Sequence, residues 1–425
     1  MGTFIPLFGD EAYYWVWAKH LQLSYFDHPP MIAWLLWLGR SFENIMQACR
    51  IPGLVLGHAT IYLWFELVKD KIALEKHKYL ALGLSLVPLS GMGSLIMTPD
   101  VPLVFFWSLC VLAFVKILKD NQLRWYLLLG AAFGLGFCSK YHIVIFLPAV
   151  FCYLFLEKKI KDLNYFYLFL TAVTAFLFSF PVWFWNYENN FISFRFQLAH
   201  GLDQGGFNPV WPSRYLAEQI LLIFPFILFL AVQKPKAKDL NWLIYFSWTP
   251  IAFFLFTSFK GRVEANWPAA AYPGIVTLAI VNANPQQIVW LRRTIAFWIC
   301  TLVLLLTQIH FNWIPDKKIG LKTKELSDYR LLEPYAVNNQ PFFASTYQMA
   351  SLLSFSLKQD IYKLRGIGRV DAYDFFPGSQ PKPGKYFWVA PKDTPLPQWA
   401  RINNHSILSI TRIDDELSLY EVQAP

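Results

Sequence analysis

Residues able to do acid–base or anion-binding chemistry are sparse in this chain and fall in short stretches. The first, Gly9-Asp10-Glu11-Ala12-Tyr13-Tyr14-Trp15, runs on to Tyr25-Phe26-Asp27-His28-Pro29-Pro30 and sets three carboxylates and a histidine among aromatic rings. An uncompensated carboxylate at the centre of a membrane costs about 3 kcal/mol on insertion scales, so in an apolar chain this cluster belongs at the water boundary or in a polar cavity. Neighbours on a helix do not share a face. Asp10 and Glu11 are therefore expected to do different jobs, one facing a cavity and the other capping or pairing. The rings of Tyr13, Tyr14, Trp15 and Trp17 also suit an interfacial aromatic belt. Asp27 could cap the helix that Pro29-Pro30 would open, and His28 could be a ligand, a proton carrier or a hydrogen-bonded spacer. The three acids with His28 could hold a divalent cation, although no spacing demands one.

Three further stretches carry charge. Thr98-Pro99-Asp100 puts one acid between two almost uncharged runs, where it either caps the following helix or serves a site. Ser139-Lys140-Tyr141 does the same with a cation. Lys260-Gly261-Arg262-Val263-Glu264-Ala265-Asn266-Trp267 holds two cations, an acid and an amide. Arg262 suits bidentate contact with a phosphate, and Lys140 or Lys260 a point-charge contact; the plain alternative is an Arg262–Glu264 ion pair. The segment 186–214, with Asn186, Glu188, Arg195, Gln197, His200 and the Asp203-Gln204-Gly205-Gly206 run, is long enough for a lid.

The elements that must position these groups are membrane helices. The chain has 425 residues, 56% hydrophobic and only 15% charged, against roughly 25% charged in ordinary soluble domains. Its net charge of +9 is spread over loops rather than gathered in a nucleic-acid patch. Apolar runs approaching the roughly 20 residues of a membrane span occur near 51–68, 79–96, 98–118, 125–139, 141–156, 165–185, 215–233, 242–259, 268–282 and 294–310. The pair 125–139 and 141–156 is short enough to form a bent hairpin about Lys140, and 31–48 reads as an amphipathic interfacial helix. Alternate connections hold fifteen and five Lys or Arg. The positive-inside rule then makes residues 1–50, the turns at Asp100 and Lys140, the loops 186–214 and 260–267 and everything after 311 face the outside. The cysteines, without metal or disulfide spacing, read as small core residues.

Beyond residue 310 the composition changes to fourteen Lys or Arg and twelve Asp or Glu with repeated turn signals. Residues 386–390, 407–410 and 417–422 read as strands and 345–357 as a capped helix. The expected organisation is a transmembrane domain over 1–310, with an outer catalytic loop at 1–50 and ten spans over 51–310, followed by a soluble extracytoplasmic α/β domain at 311–425.

Together the motifs resemble the membrane glycosyltransferases of the dolichyl-phosphate-mannose-protein mannosyltransferase type, in the bacterial branch that includes the aminoarabinose transferase acting on lipid A. The matching pieces, spread over residues 9–267, are the acidic first loop, Thr98-Pro99-Asp100, Ser139-Lys140-Tyr141 and the Gly261–Trp267 loop. The resemblance implies a mainly α, polytopic helical bundle of the C-type glycosyltransferase fold. It implies inverting transfer of a sugar from a polyprenyl-phosphate donor to a lipid A-like glycolipid or a protein, at the outer face of the bacterial inner membrane. Asp10 is then the expected general base and Asp100 a second acid near the reaction centre. Lys140, Lys260 and Arg262 would hold the donor phosphate, with Glu11, Asp27, His28, Tyr141, Glu264 and Asn266 in support. Asp27-His28-Pro29-Pro30 departs from the Glu-Lys-Pro-Pro of the aminoarabinose enzyme. The resemblance also implies a membrane helix ahead of the acidic loop, so the chain is expected to be truncated or to start at an internal Met. The competing class is a secondary transporter or lipid-linked sugar flippase, whose acids would lie near the midplane of paired repeats.

Overall fold

Helix formation follows the apolar runs, and their length decides which helices can cross a bilayer. The computed structural model describes residues 5–43, 50–202, 208–311, 313–314 and 329–425. Cys49, Asn44, Gln47, the 203–206 run and the side chain of His200 lie outside the described residues. Among the described residues five helical segments are long and apolar enough to span: Ile51–Lys71, Asp100–Asp120, Tyr165–Glu188, Lys238–Thr257 and Pro285–Phe311. A sixth span is present if Val210–Ile223 and Pro225–Ala231, bent by 93° at Phe224, count as one. The chain is a multi-pass membrane protein. Of the ten expected spans, those at 125–139, 141–156 and 268–282 form shorter apolar helices. The one expected at 79–96 stops at Leu86, because Pro88 pushes Val87 out of the helical region. Helix α1 covers Gly9–Lys19, and α2, Met31–Gly39, follows Pro29-Pro30 as expected and runs into a 3-10 turn at Arg40–Phe42.

The chain divides into two compact units. One comprises Gln22–Leu35 and Arg50–Leu306; the other comprises Met1–Leu21, Leu36–Cys49 and Thr307–Pro425. In the first unit α3 (Ile51–Val68), α4 (Leu74–Leu86), α5 (Asp100–Asp120), α6 (Leu123–Ser139), α7 (Phe146–Leu156) and α8 (Tyr165–Glu188) are followed by α9 (Ile192–Leu202) and α10 (Val210–Ile223). Then come α11 (Pro225–Ala231), α12 (Trp242–Thr257), α13 (Tyr272–Asn282) and α14 (Ile288–Phe311). Its core is aromatic: Trp107 packs edge-on against Phe146 at 5.3 Å, and Phe114 against Phe246 at 5.4 Å. Helices α6 and α8 touch backbone to backbone through Gly130 and Gly134, one helical turn apart. A Cβ at either glycine would lie 2.5 Å from a carbonyl oxygen of α8, that of Thr171 or Ala175. Close approach over small residues is how membrane helices associate without a hydrophobic driving force between them. Cys110 and Cys138 are buried as expected, whereas Cys300 lies exposed on α14, where an apolar environment is supplied from outside the protein.

In the second unit a five-stranded sheet has the order β2 (Tyr362–Lys363), β1 (Phe342–Ala344), β3 (Gly384–Pro391), β5 (Leu417–Ala424), β4 (Ser406–Arg412). The first two are parallel additions of three and two residues, too short to show an alternating pattern, and were not among the expected strands. The register places Trp388 opposite Tyr420, with rings 5.1 Å apart. Helix α15 (Glu333–Asn338) precedes the sheet. Helix α16 (Tyr347–Leu357) is capped by Thr346, whose side chain accepts from the Met349 amide at 3.2 Å. The short α17 (Gln398–Ile402) leads into β4.

A buried hub fixes one edge of this unit. Lys363, 1% exposed, donates to Asp371 Oδ2 at 2.6 Å, Asp374 Oδ2 at 3.0 Å and the Arg369 carbonyl at 2.8 Å. Burial pushes the Asp371 carboxyl above its ordinary value although the Lys363 ammonium pulls it down.

Gly134→Val is expected to destabilise the protein by about 1–3 kcal/mol through overpacking, read as a fall in the thermal midpoint in detergent; an unchanged midpoint would show that α6 and α8 separate at no cost. Lys363→Met, which strands two buried carboxylates, is expected to cost about 3–5 kcal/mol, read as faster hydrogen exchange over residues 363–390. A carboxyl with a raised pKa contributes stability in acid that is lost as pH rises through that pKa, so the Lys363→Met defect should be largest at neutral pH and shrink on acidification.

Candidate functional site

Asp100 stands at the head of α5, in the first turn, where the helix dipole favours a carboxylate. It is 6% exposed. Capping is not its role, for both oxygens are engaged elsewhere: Oδ1 accepts from Lys140 Nζ at 2.7 Å and Oδ2 from Asn266 Nδ2 at 2.7 Å. Lys140 reaches it because α6 ends at Ser139. The next residue turns extended at φ −160°, ψ 138°, and a 3-10 turn at Tyr141–Ile145 leads into α7. This is the break expected in the short pair of helices. Asn266 arrives from the loop before α13. That loop is held by Gln219 of α10, whose Nε2 donates to the Ala265 carbonyl at 3.2 Å while its Oε1 accepts from Tyr272 at 2.7 Å. Three separate motifs thus meet on one carboxylate.

Beside this cluster lies a cavity of about 400 Å³ with mostly aromatic walls that include Phe137, Tyr141, His142, Trp183, Phe254 and Trp267. Tyr141 and His142 directly follow Lys140, and Trp267 directly follows Asn266, so the aromatic wall begins one residue from the polar groups. The Tyr141 hydroxyl shares a hydrogen bond with Ser193 at 3.0 Å, and the Trp267 ring sits 5.5 Å from that of His142. Gln219, Tyr272 and His142 were not among the expected site residues. Gln219 did leave a signal, a lone amide in the apolar Ile220-Leu221-Leu222-Ile223 end of α10.

The other cations differ in setting. Arg262 and Glu264 pair at 3.3 Å with about half of each side chain exposed, and Lys260 is exposed. Asp27 is 4% exposed, its carbonyl accepts from Gln197 Nε2, and the Phe26 ring packs on Phe196 at 4.5 Å. His28, half-buried, completes the Pro-Pro turn. Among the described residues no three His, Cys, Asp or Glu side chains gather as a metal site.

The second unit holds Asp10 and Glu11. Asp10 is exposed while Glu11 is fully buried, the divergence expected of neighbours on α1. Asp10 Oδ1 accepts from the Tyr347 hydroxyl at 2.8 Å. The Arg369 guanidinium lies 4.9 Å over the Tyr347 ring, which packs on Tyr13 at 4.5 Å. Tyr13 also accepts from the Ala372 amide at 2.6 Å. Tyr13, Tyr14, Trp15 and Trp17 are all buried. Helix α1 is buried on nearly every side, so these rings pack within the protein instead of forming the interfacial belt that their composition suggested. Tyr347 and Arg369, in the segment without a recognisable motif, are partners that the sequence did not reveal.

Residues 27–185 match the model of the family described as dolichyl-phosphate-mannose-protein mannosyltransferase. The chain is 24% identical over 287 residues to the lipid A galacturonosyltransferase RgtD of Rhizobium johnstonii, covering 64% of this chain and 60% of that protein's length. The structure is similar to that of ArnT from Cupriavidus metallidurans, in the apo state (TM-score 0.70, 15% identity, 99% of this chain and 94% of that one) and bound to undecaprenyl phosphate (TM-score 0.70, 16% identity, 99% and 95%). The resemblance read from the motifs is borne out over residues 27–185, which match that family's model, and the fold is the C-type fold of the solved structures.

Proposed function

We propose that the protein transfers a sugar from a polyprenyl-phosphate donor to an extracytoplasmic acceptor, a lipid A-like glycolipid or a protein, with inversion at the anomeric carbon. The observation that carries this reading is the convergence of Asp100, Lys140 and Asn266 beside an aromatic cavity. It is a buried polar head next to an apolar space, the pairing that a polyprenyl phosphate demands. The relatives support it, one acting on lipid A by name and one seen with undecaprenyl phosphate. The loop charges support a bacterial inner-membrane location with this face outside.

Asp10 takes the proton of the acceptor hydroxyl or phosphate as the acceptor oxygen bonds to the anomeric carbon. The bond from that carbon to the donor phosphate breaks with its electron pair, and the polyprenyl phosphate leaves as an anion. Asp10 suits the base because Tyr347 fixes one of its oxygens and the side chain is exposed. Asp100, with both oxygens engaged, suits the positioning of Lys140 instead. Lys140, Lys260 and Arg262 stabilise the departing phosphate. Glu11, Asp27, His28, Tyr141, Glu264 and Asn266 keep their supporting assignments.

The test is transfer from a panel of labelled undecaprenyl-phosphate sugars to envelope lipids by the purified full chain in nanodiscs. Asp10→Asn is expected to lower kcat about hundredfold or more, the usual range for a general base; equal turnover would remove Asp10 from the mechanism. Tyr347→Phe should lower kcat several-fold while leaving KM unchanged. Asp100→Asn, which leaves a buried ammonium unpaired, should cost about 3–5 kcal/mol of stability along with activity. Folded protein that transfers no sugar from any donor would overturn the reading.

A further inference from the structure

Helix α5 carries a second feature at its far end, roughly 30 Å from Asp100 at 1.5 Å per residue. There a cavity of about 650 Å³ opens between the ends of α3, α5 and α7 and the head of α12. Its walls include the apolar Leu112, Val115 and Trp242 together with several charged residues. Several charges neutralise one another: Lys71 pairs with Asp239 at 2.5 Å, Lys159 with Asp162 at 2.9 Å, and Glu66 with Lys69 at 2.7 Å. Among the described residues Lys116, Lys119 and Lys238, all lining the cavity, have no carboxylate within ion-pair distance. Asp70 and Glu157 line the same cavity. The Glu157 carboxylate is held by Asn241 Nδ2 at 3.1 Å and by the Tyr245 hydroxyl at 3.0 Å, which anchor it as part of the wall. Lys116 is half-buried, with its ammonium 5.9 Å from the centre of the Trp125 ring and no counter-charge among the described residues. A charge in that state favours an anion.

We propose that this cavity binds a phosphate-bearing group between Lys116, Lys119 and Lys238. The apolar wall beside the lysines fits the start of an acyl chain, so the expected source is the headgroup of an anionic phospholipid, with a soluble phosphate ester as the alternative source. All three lysines belong to the lysine-rich set of connections, on the side opposite the proposed transfer site. Basic pockets between membrane helices on that side suit anionic headgroups.

The experiment compares the full chain with the K116Q/K119Q/K238Q variant in phosphatidylcholine nanodiscs, in the same discs with added phosphatidylglycerol, and in the first discs titrated with glycerol 3-phosphate. Retained lipid is counted by native mass spectrometry, and thermal midpoints are recorded. The wild type should retain phosphatidylglycerol about tenfold over phosphatidylcholine and gain thermal stability from it; the variant should do neither. A midpoint gain from glycerol 3-phosphate alone, absent in the variant, would assign the site to a soluble phosphate ester. Should the triple variant fail to fold, the exposed Lys119→Gln and Lys238→Gln single variants are each expected to lower retention about threefold. Equal behaviour of wild type and variants in both arms overturns the proposal.

Discussion

The first unit turns on the ion pair between Asp100 and Lys140. Two charges taken out of water contribute little net stability by themselves, but removing either partner leaves the other uncompensated in a low dielectric at a cost of several kcal/mol. The pair therefore acts as a constraint. It holds the head of α5 against the end of α6, and through the second oxygen of Asp100 it holds the loop carrying Asn266. The close contact over Gly130 and Gly134 packs α6, whose end carries Lys140, against α8.

Around that constraint the polar and apolar parts of the chain sort themselves by adjacency along the backbone. Two of the three polar residues of the cluster are followed by rings that wall the cavity: Lys140 by Tyr141 and His142, Asn266 by Trp267. A site built this way needs few polar groups, which is why so apolar a chain can carry one. The second unit follows the same logic with different parts. Lys363 neutralises two buried acids and ties down the backbone at Arg369. The segment that follows meets Tyr13 through the Ala372 amide, on the helix that presents Asp10. The C-terminal residues, which carry no catalytic motif of their own, thus supply Tyr347 to the acid at the start of the chain.

Much of this was legible in the residues alone. Asp100, Lys140 and Asn266 each stood out, because a charge or amide between apolar runs is costly unless it serves something, and the break at Lys140 followed from the shortness of the helices on either side. The Arg262–Glu264 pair was one of two readings of that loop. What could not be read was the partnership. Nothing in the spacing says that Asp100 takes both Lys140 and Asn266, that Gln219 and Tyr272 brace the loop, or that the aromatic residues of α1 face inward. Strands of two or three residues are likewise invisible, since an alternating pattern needs more positions to show.

The sequence by itself determined the membrane-helical class, the sites where polar groups interrupt it, the family resemblance and the divergence of Asp10 from Glu11. Those properties follow from local composition and periodicity, which every stretch of chain carries with it. Only the tertiary structure decided which groups neutralise which. Ion pairing and burial depend on contacts between residues forty, a hundred and sixty-six or three hundred and thirty-seven positions apart, and those distances close only when the helices pack.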